Sequence, residues 1–121
     1  MKVVANADAE VLTRDRVQSL QIVSQKSGIS QAVVITRVTV EPGGIQPRHR
    51  HAASEQIWVV LAGRATLMLD GDREEPMSAG HTYCFEPGEV HGIRNDSGGV
   101  FEYLAVTSPP ESFEAAYGKK Q

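Results

Sequence analysis

A chain of 121 residues is one domain's worth of sequence, able to bury roughly two thirds of the surface it exposes when unfolded and so to build a true core. Its formal charge of -3, from 12 basic and 15 acidic side chains scattered along the sequence, excludes the concentrated basic footprint of a nucleic-acid or anionic-membrane binder. One cysteine, Cys84, excludes an internal disulfide and any cysteine-paired zinc or iron-sulfur site, so a bound metal would be held by nitrogen and oxygen.

The opening MKVVANADAEVLTRDR places acids within its first ten residues and has no apolar core of signal-peptide length. Nowhere do about 18 apolar residues run together, and the expectation is a cytoplasmic protein. A polar lead over 1–19 is followed by short β-rich runs: LQIVSQ, QAVVITRVTVEPGG, QIWVVLAG, ATLMLDGD, TYCFEPG, HGIRNDSGG and VFEYLAVTSPP. They recur about every 8 to 12 residues between Gly, Pro, Asp and Ser, the spacing of an all-β sandwich or barrel. Asp70-Gly71 marks a hairpin turn. In VVITRVTV the apolar residues fall on both parities, as in a strand covered by the barrel interior on one side and a second subunit on the other. The expected assembly is therefore a homodimer. PPESFEAAYGKK predicts a short terminal helix, with Glu111 and Glu114 near its start and Gly118 as its stop. The whole is one domain over 1–121, with a barrel core at about 20–107 and a tail over 108–121.

The chemistry sits in GGIQPRHRHAASEQIWVVLAG. In an extended strand His49 and His51 point the same way, with Cα atoms roughly 6.6 Å apart, while Arg48 and Arg50 point the other way. Two imidazoles that close can converge on one cation at metal-nitrogen distances of about 2.0 to 2.1 Å. A His-x-His pair is also common on solvated edge strands, so the pair needs a second segment. GHTYCFEPGEVHGIRN supplies one, with His91 opening a strand after a Pro-Gly turn.

Together these segments resemble the two motifs of the cupin superfamily, Gly-x5-His-x-His-x3or4-Glu-x6-Gly and Gly-x5-Pro-x-Gly-x2-His-x3-Asn. Gly43, His49, His51 and Gly63 fall on the first, and Gly80, Gly88, His91 and Asn95 on the second, so the resemblance spans about Val33 to Thr107. It implies an all-β double-stranded β-helix, the jelly-roll barrel of the cupins, here with the short C-terminal helix appended. Two positions depart from the pattern. Glu86 stands at the proline of the second motif, and the neighbouring Pro87 serves the same turn. At the acidic position Glu55 satisfies the spacing from His51 alone, whereas Gln56 satisfies the spacings to both His51 and Gly63. Strand parity favours Gln56 as the inward residue, with Glu55 as the alternative third ligand.

The resemblance then implies that His49, His51, Gln56 and His91 hold one divalent transition metal per chain: iron, nickel, manganese, copper or zinc. Trp58 shares the parity of Gln56 and is expected to wall a substrate pocket together with Tyr83 and Phe85. Cys84, of opposite parity, reads as a small buried hydrophobe, and His81 as a solvated turn residue. The leading expectation is a metal-dependent enzyme of oxygenase type acting on a small polar organic molecule. The alternatives are a non-redox Lewis-acid isomerase or lyase on a sugar-like or keto acid substrate, and a non-catalytic module that binds or senses a small molecule.

Overall fold

Period-two burial organises the strands. In Val34–Val40 the buried residues are Val34, Thr36, Val38 and Val40 while Arg37 is exposed; in Glu55–Ala62 they are Gln56, Trp58 and Val60 while Glu55 and Leu61 are exposed. The computed structural model describes residues 1–118. Among them ten strands form two antiparallel sheets. The larger contains β1 (Val11–Arg14), β2 (Val17–Val23), β3 (Val34–Val40), β5 (Glu55–Ala62), β8 (Thr82–Phe85) and β10 (Phe101–Ser108), in the order β1-β2-β3-β10-β5-β8. The smaller contains β4 (Ile45–His49), β6 (Arg64–Leu69), β7 (Glu74–Ser78) and β9 (His91–Arg94), in the order β4-β9-β6-β7.

From β3 onward the chain crosses repeatedly between the two sheets, and β6 and β7 form a hairpin turned at Asp70–Asp72. This winding is the double-stranded β-helix expected from the resemblance. The inner faces meet over a core in which Trp58, Leu67, Met77, Ile93, Phe101 and Tyr103 are nearly inaccessible to solvent. At Gly63, between β5 and β6, a Cβ would lie 2.2 Å from the carbonyl oxygen of Val100, so only glycine lets the chain turn under the approach to β10.

Within the polar lead over 1–19, β1 and the first residues of β2 form a hairpin at the edge of the larger sheet. Two expectations need correction. The C-terminal helix is only a 3-10 turn at Glu114–Tyr117; the stretch between Pro110 and Gly118 is too short to sustain an α-helix on its own. Lys119 and Lys120, after the expected stop at Gly118, lie outside the described residues. Cys84 does take the opposite face from Tyr83 and Phe85, but β8 is an edge strand whose outer face is open, so the thiol is exposed rather than buried. No helix among the described residues is long and apolar enough to cross a membrane.

Candidate metal centre

Strand β4 reaches the site through an irregularity. Gln46 pairs with Ile93 and His49 with His91, so three residue steps on β4 oppose two on β9. The extra residue is a β-bulge within Pro47–Arg48, where Pro47 has no N–H to give to the ladder. Regular alternation would send Gln46 and His49 to opposite faces; the bulge turns both inward, and both line one cavity. Gly92 makes the close approach possible, since a Cβ there would lie 2.8 Å from the Gln46 carbonyl and 2.9 Å from the Arg48 nitrogen. The result is a cross-strand pair of imidazoles, His49 and His91, with ring centroids 4.4 Å apart.

His51 lies beyond the end of β4 and turns in to complete a triangle, 5.0 Å from the His49 ring and 5.1 Å from that of His91. Ligand atoms of all three lie within 4.8 Å of one another, the single such group of His, Cys, Asp and Glu side chains among the described residues. Each ring is anchored through its Nδ1. That of His49 donates to the Pro47 carbonyl at 2.8 Å, that of His91 to the Glu89 carbonyl at 2.9 Å, and that of His51 to the Glu111 carboxylate. A neutral imidazole has one N–H, so these bonds leave three Nε2 lone pairs to face the cluster. His51 Nε2 is buried with no hydrogen-bond partner.

Burial holds His91 neutral, pushing its pKa down to about 3 with a smaller contribution from His49; burial likewise lowers that of His49. Neutral rings with free Nε2 atoms and hydrogen-bonded Nδ1 atoms are what a cation requires of histidine. The three histidines therefore form a site able to hold a metal ion.

Gln56 sits beside them, 4% exposed. Its orientation is fixed on both sides: its Nε2 donates to Thr107 Oγ1 at 2.9 Å, and its Oε1 accepts from Trp58 Nε1, a group that can only donate, at 2.9 Å. Oε1 then lies 3.1 Å from His91 Nε2. With Nδ1 of His91 already donating to Glu89, both atoms of this contact are acceptors, and their proximity is favourable when a cation lies between them. Glu55, the alternative, is on the exposed outer face of β5.

The cavity next to this cluster has a volume of about 200 Å³. Trp58 lines it, as the parity of β5 requires, and stands edge-on to His91. Phe85 does not line it but stacks behind His91, with centroids 4.3 Å apart and planes 17° from parallel. Tyr83 lies elsewhere: its hydroxyl accepts from the Ser78 N–H at the end of β7. His81 is exposed, as expected of a turn residue.

Several cavity residues carry no sequence signal of their own. Arg14 on β1 donates to Gln46 Oε1 at 2.7 Å and lies over the Tyr117 ring; Gln46 Nε2 in turn donates to the Tyr103 hydroxyl at 2.9 Å. Phe113 and Tyr117 come from the tail, Phe113 meeting the His51 ring edge-on at 5.8 Å. Burial raises the pKa of both Tyr103 and Tyr117, so each is a hydrogen-bond donor and not a base.

Comparison with known proteins agrees with this architecture. The cupin domain model matches residues 36–107, the stretch from within β3 to within β10 that carries His49, His51, Gln56 and His91 but neither Arg14 nor the tail. The chain is 31% identical over 87 residues to an uncharacterized protein of Methanocaldococcus jannaschii, covering 72% of this chain and 67% of that one. It is 31% identical over 83 residues to the endoribonuclease YbeY of Myxococcus xanthus, covering 69% of this chain but 28% of that protein's length. The polyketide cyclase RemF from Streptomyces resistomycificus superposes with a TM-score of 0.77 at 27% identity, covering 90% of this chain and 80% of that one. With a doubly wound β-barrel, both histidine segments inside it and a family match over more than half of its length, the chain belongs to the cupin family.

Proposed function

We propose that this chain is a metal-dependent enzyme that holds one divalent transition metal on His49, His51, His91 and the Oε1 of Gln56, and that it acts without redox on a small, anionic, oxygen-bearing organic molecule. The observation that carries the reading is the common arrangement of the three rings: every Nδ1 is spent on an oxygen of the protein, so every Nε2 is free for a cation. When bound, the metal supplies a Lewis acid that polarises a substrate carbonyl or enol oxygen.

The protein's own residues supply the rest. Arg14 borders the cavity, and with neutral imidazoles and a neutral amide around the metal it favours a substrate that brings negative charge. Tyr103 accepts a hydrogen bond from Gln46 and keeps its own O–H for an acceptor in the cavity, a donor suited to a substrate oxygen that gains charge. Trp58, Val38 and Ala105 give the opposite wall an apolar surface that excludes water. A cavity of about 200 Å³ is smaller than the roughly 300 to 1,000 Å³ of drug-sized sites, so the substrate is small. RemF, a polyketide cyclase on the same fold, supports a ring-forming reaction on a small organic substrate.

An oxygenase is the second reading, favoured by the apolar wall at Trp58, which suits a reaction that must exclude water. Elemental analysis of untagged protein and of the His91→Ala variant tests the shared premise. About one metal per chain, lost in the variant, is expected; parent protein that takes up no transition metal sinks both readings. Turnover of small keto and enol acids with and without air then separates them: equal rates support the Lewis-acid enzyme, and dependence on oxygen supports the oxygenase.

A further inference from the structure

The donors gathered at the proposed site are all neutral. Three imidazoles and an amide surround it, no carboxylate among the described residues joins the group, and Glu55 is turned out to solvent. One acid nevertheless touches the cluster. Glu111 accepts from His51 Nδ1, on the side of that ring away from the free Nε2. It comes from outside the stretch that matches the family model, on the tail that follows β10.

The contact is built rather than incidental. The His51 side chain is 8% exposed and that of Glu111 33% exposed, so the pair lies at the boundary of the cavity where water screens it only in part. The tail is fastened on either side of Glu111. Before it, Ser54 Oγ donates to the Pro109 carbonyl at 2.6 Å, with Glu111 Oε2 at 3.5 Å from the same hydroxyl. After it, Phe113 packs on the His51 ring, and the buried Glu114 pairs with Lys26.

We infer that Glu111 is a positioning residue that supplies through His51 the negative charge missing from the ligand set, fixing the ring with Nε2 toward the metal and enriching that nitrogen as a donor. The inference rests on the metal-binding reading above. A carboxylate on the far nitrogen of a ligating imidazole orients the ring and raises its basicity, and loss of such a partner costs about 10- to 100-fold in metal affinity. Here the charge that is absent from the strand β5 position returns from the tail, one imidazole removed from the cation.

The test is Glu111→Gln, which keeps the size of the side chain and an oxygen acceptor for Nδ1 but removes the charge. Affinity for cobalt(II) and zinc(II) is measured by competition with a chromophoric chelator, together with the visible spectrum of the cobalt form. Tenfold or greater weakening and a shifted cobalt band are expected, with unchanged thermal stability of the metal-free protein. Gln56→Glu added to Glu111→Gln returns the charge by another route and is expected to restore affinity. Lys26→Ala loosens the tail without touching the charge and is expected to leave both readouts near those of the parent. Parent-like affinity in Glu111→Gln, equal weakening in Lys26→Ala, or failure of Gln56→Glu to restore binding each overturns the inference. Parent protein that binds neither metal overturns the metal-binding reading, and this inference with it.

Discussion

The cavity has walls of two kinds. On one side lie β3, β4, β5 and β10, held in the sheets by cross-strand pairing, so that inward side chains follow backbone geometry. On the other lies the tail, a stretch with one 3-10 turn and no strand pairing, attached by side chains: Ser54 to Pro109, His51 to Glu111, Lys26 to Glu114 and Arg14 to the Ala116 carbonyl and the Tyr117 ring. The strands carry His49, His91 and Gln56, with His51 in the loop just past the end of β4; the tail carries the groups that cover and tune them. A framework with continuous hydrogen bonding opens only with the whole barrel, whereas a segment fastened at a few points opens at far lower cost. The difference teaches that ligand placement belongs to the rigid wall and access to the looser one.

The largest effect should come from paired truncations. Trp58→Ala removes a 1%-exposed side chain from the sheet wall and frees Gln56 Oε1, and is expected to cost about 3 to 5 kcal/mol in chemical denaturation. Phe113→Ala on the tail is expected to cost less than half as much; equal losses would erase the distinction between the walls.

Acid is the next lever. In the metal-free barrel the folded-state pKa of His91 is about 3 against an ordinary 6.5, so between these values the unfolded chain binds a proton that the folded chain refuses. Stability is complete above pH 6.5 and falls as pH drops below it, by about 2 kcal/mol at pH 5. Melting curves in chelator from pH 8 to 5 measure this, and a His91→Gln variant should flatten the profile; an unchanged slope in the variant would assign the effect to another group.

The smallest effect separates the two faces of one strand. Gln56→Ala is expected to weaken metal binding about tenfold, a loss comparable to that of other groups that support a ligand set, whereas Glu55→Ala on the outer face leaves it unchanged. Isothermal titration with zinc reads both, and equal affinities would remove Gln56 from the site.

How much of this was legible depended on which physical constraint placed each residue. Gln56 and Trp58 could be read from parity because β5 is a regular strand. His49 and His51 reach one cavity as alternation suggested, but by a different route: β4 ends at His49, and His51 turns in from the loop that follows. Tyr83 shows the limit of parity, which gives a face but not which part of the core that face meets; β8 is at the sheet edge, and Tyr83 packs toward β7. Glu111, Phe113, Arg14 and Gln46 were not legible as residues of the site. The first three arrive through docking of distant segments, which leaves no period in the sequence, and Gln46 arrives through the bulge.

That bulge also bears on how such sites diverge. Because a single surplus residue between Gln46 and His49 decides whether the two share the interior, the set of groups offered to a substrate can be rewritten by a one-codon deletion or insertion in β4 while every remaining letter stays the same. Two chains with identical histidine motifs and a one-residue length difference between the Gly43 turn and His49 would then present different interiors, and the count of residues in that short interval becomes as informative about chemistry as the residues themselves.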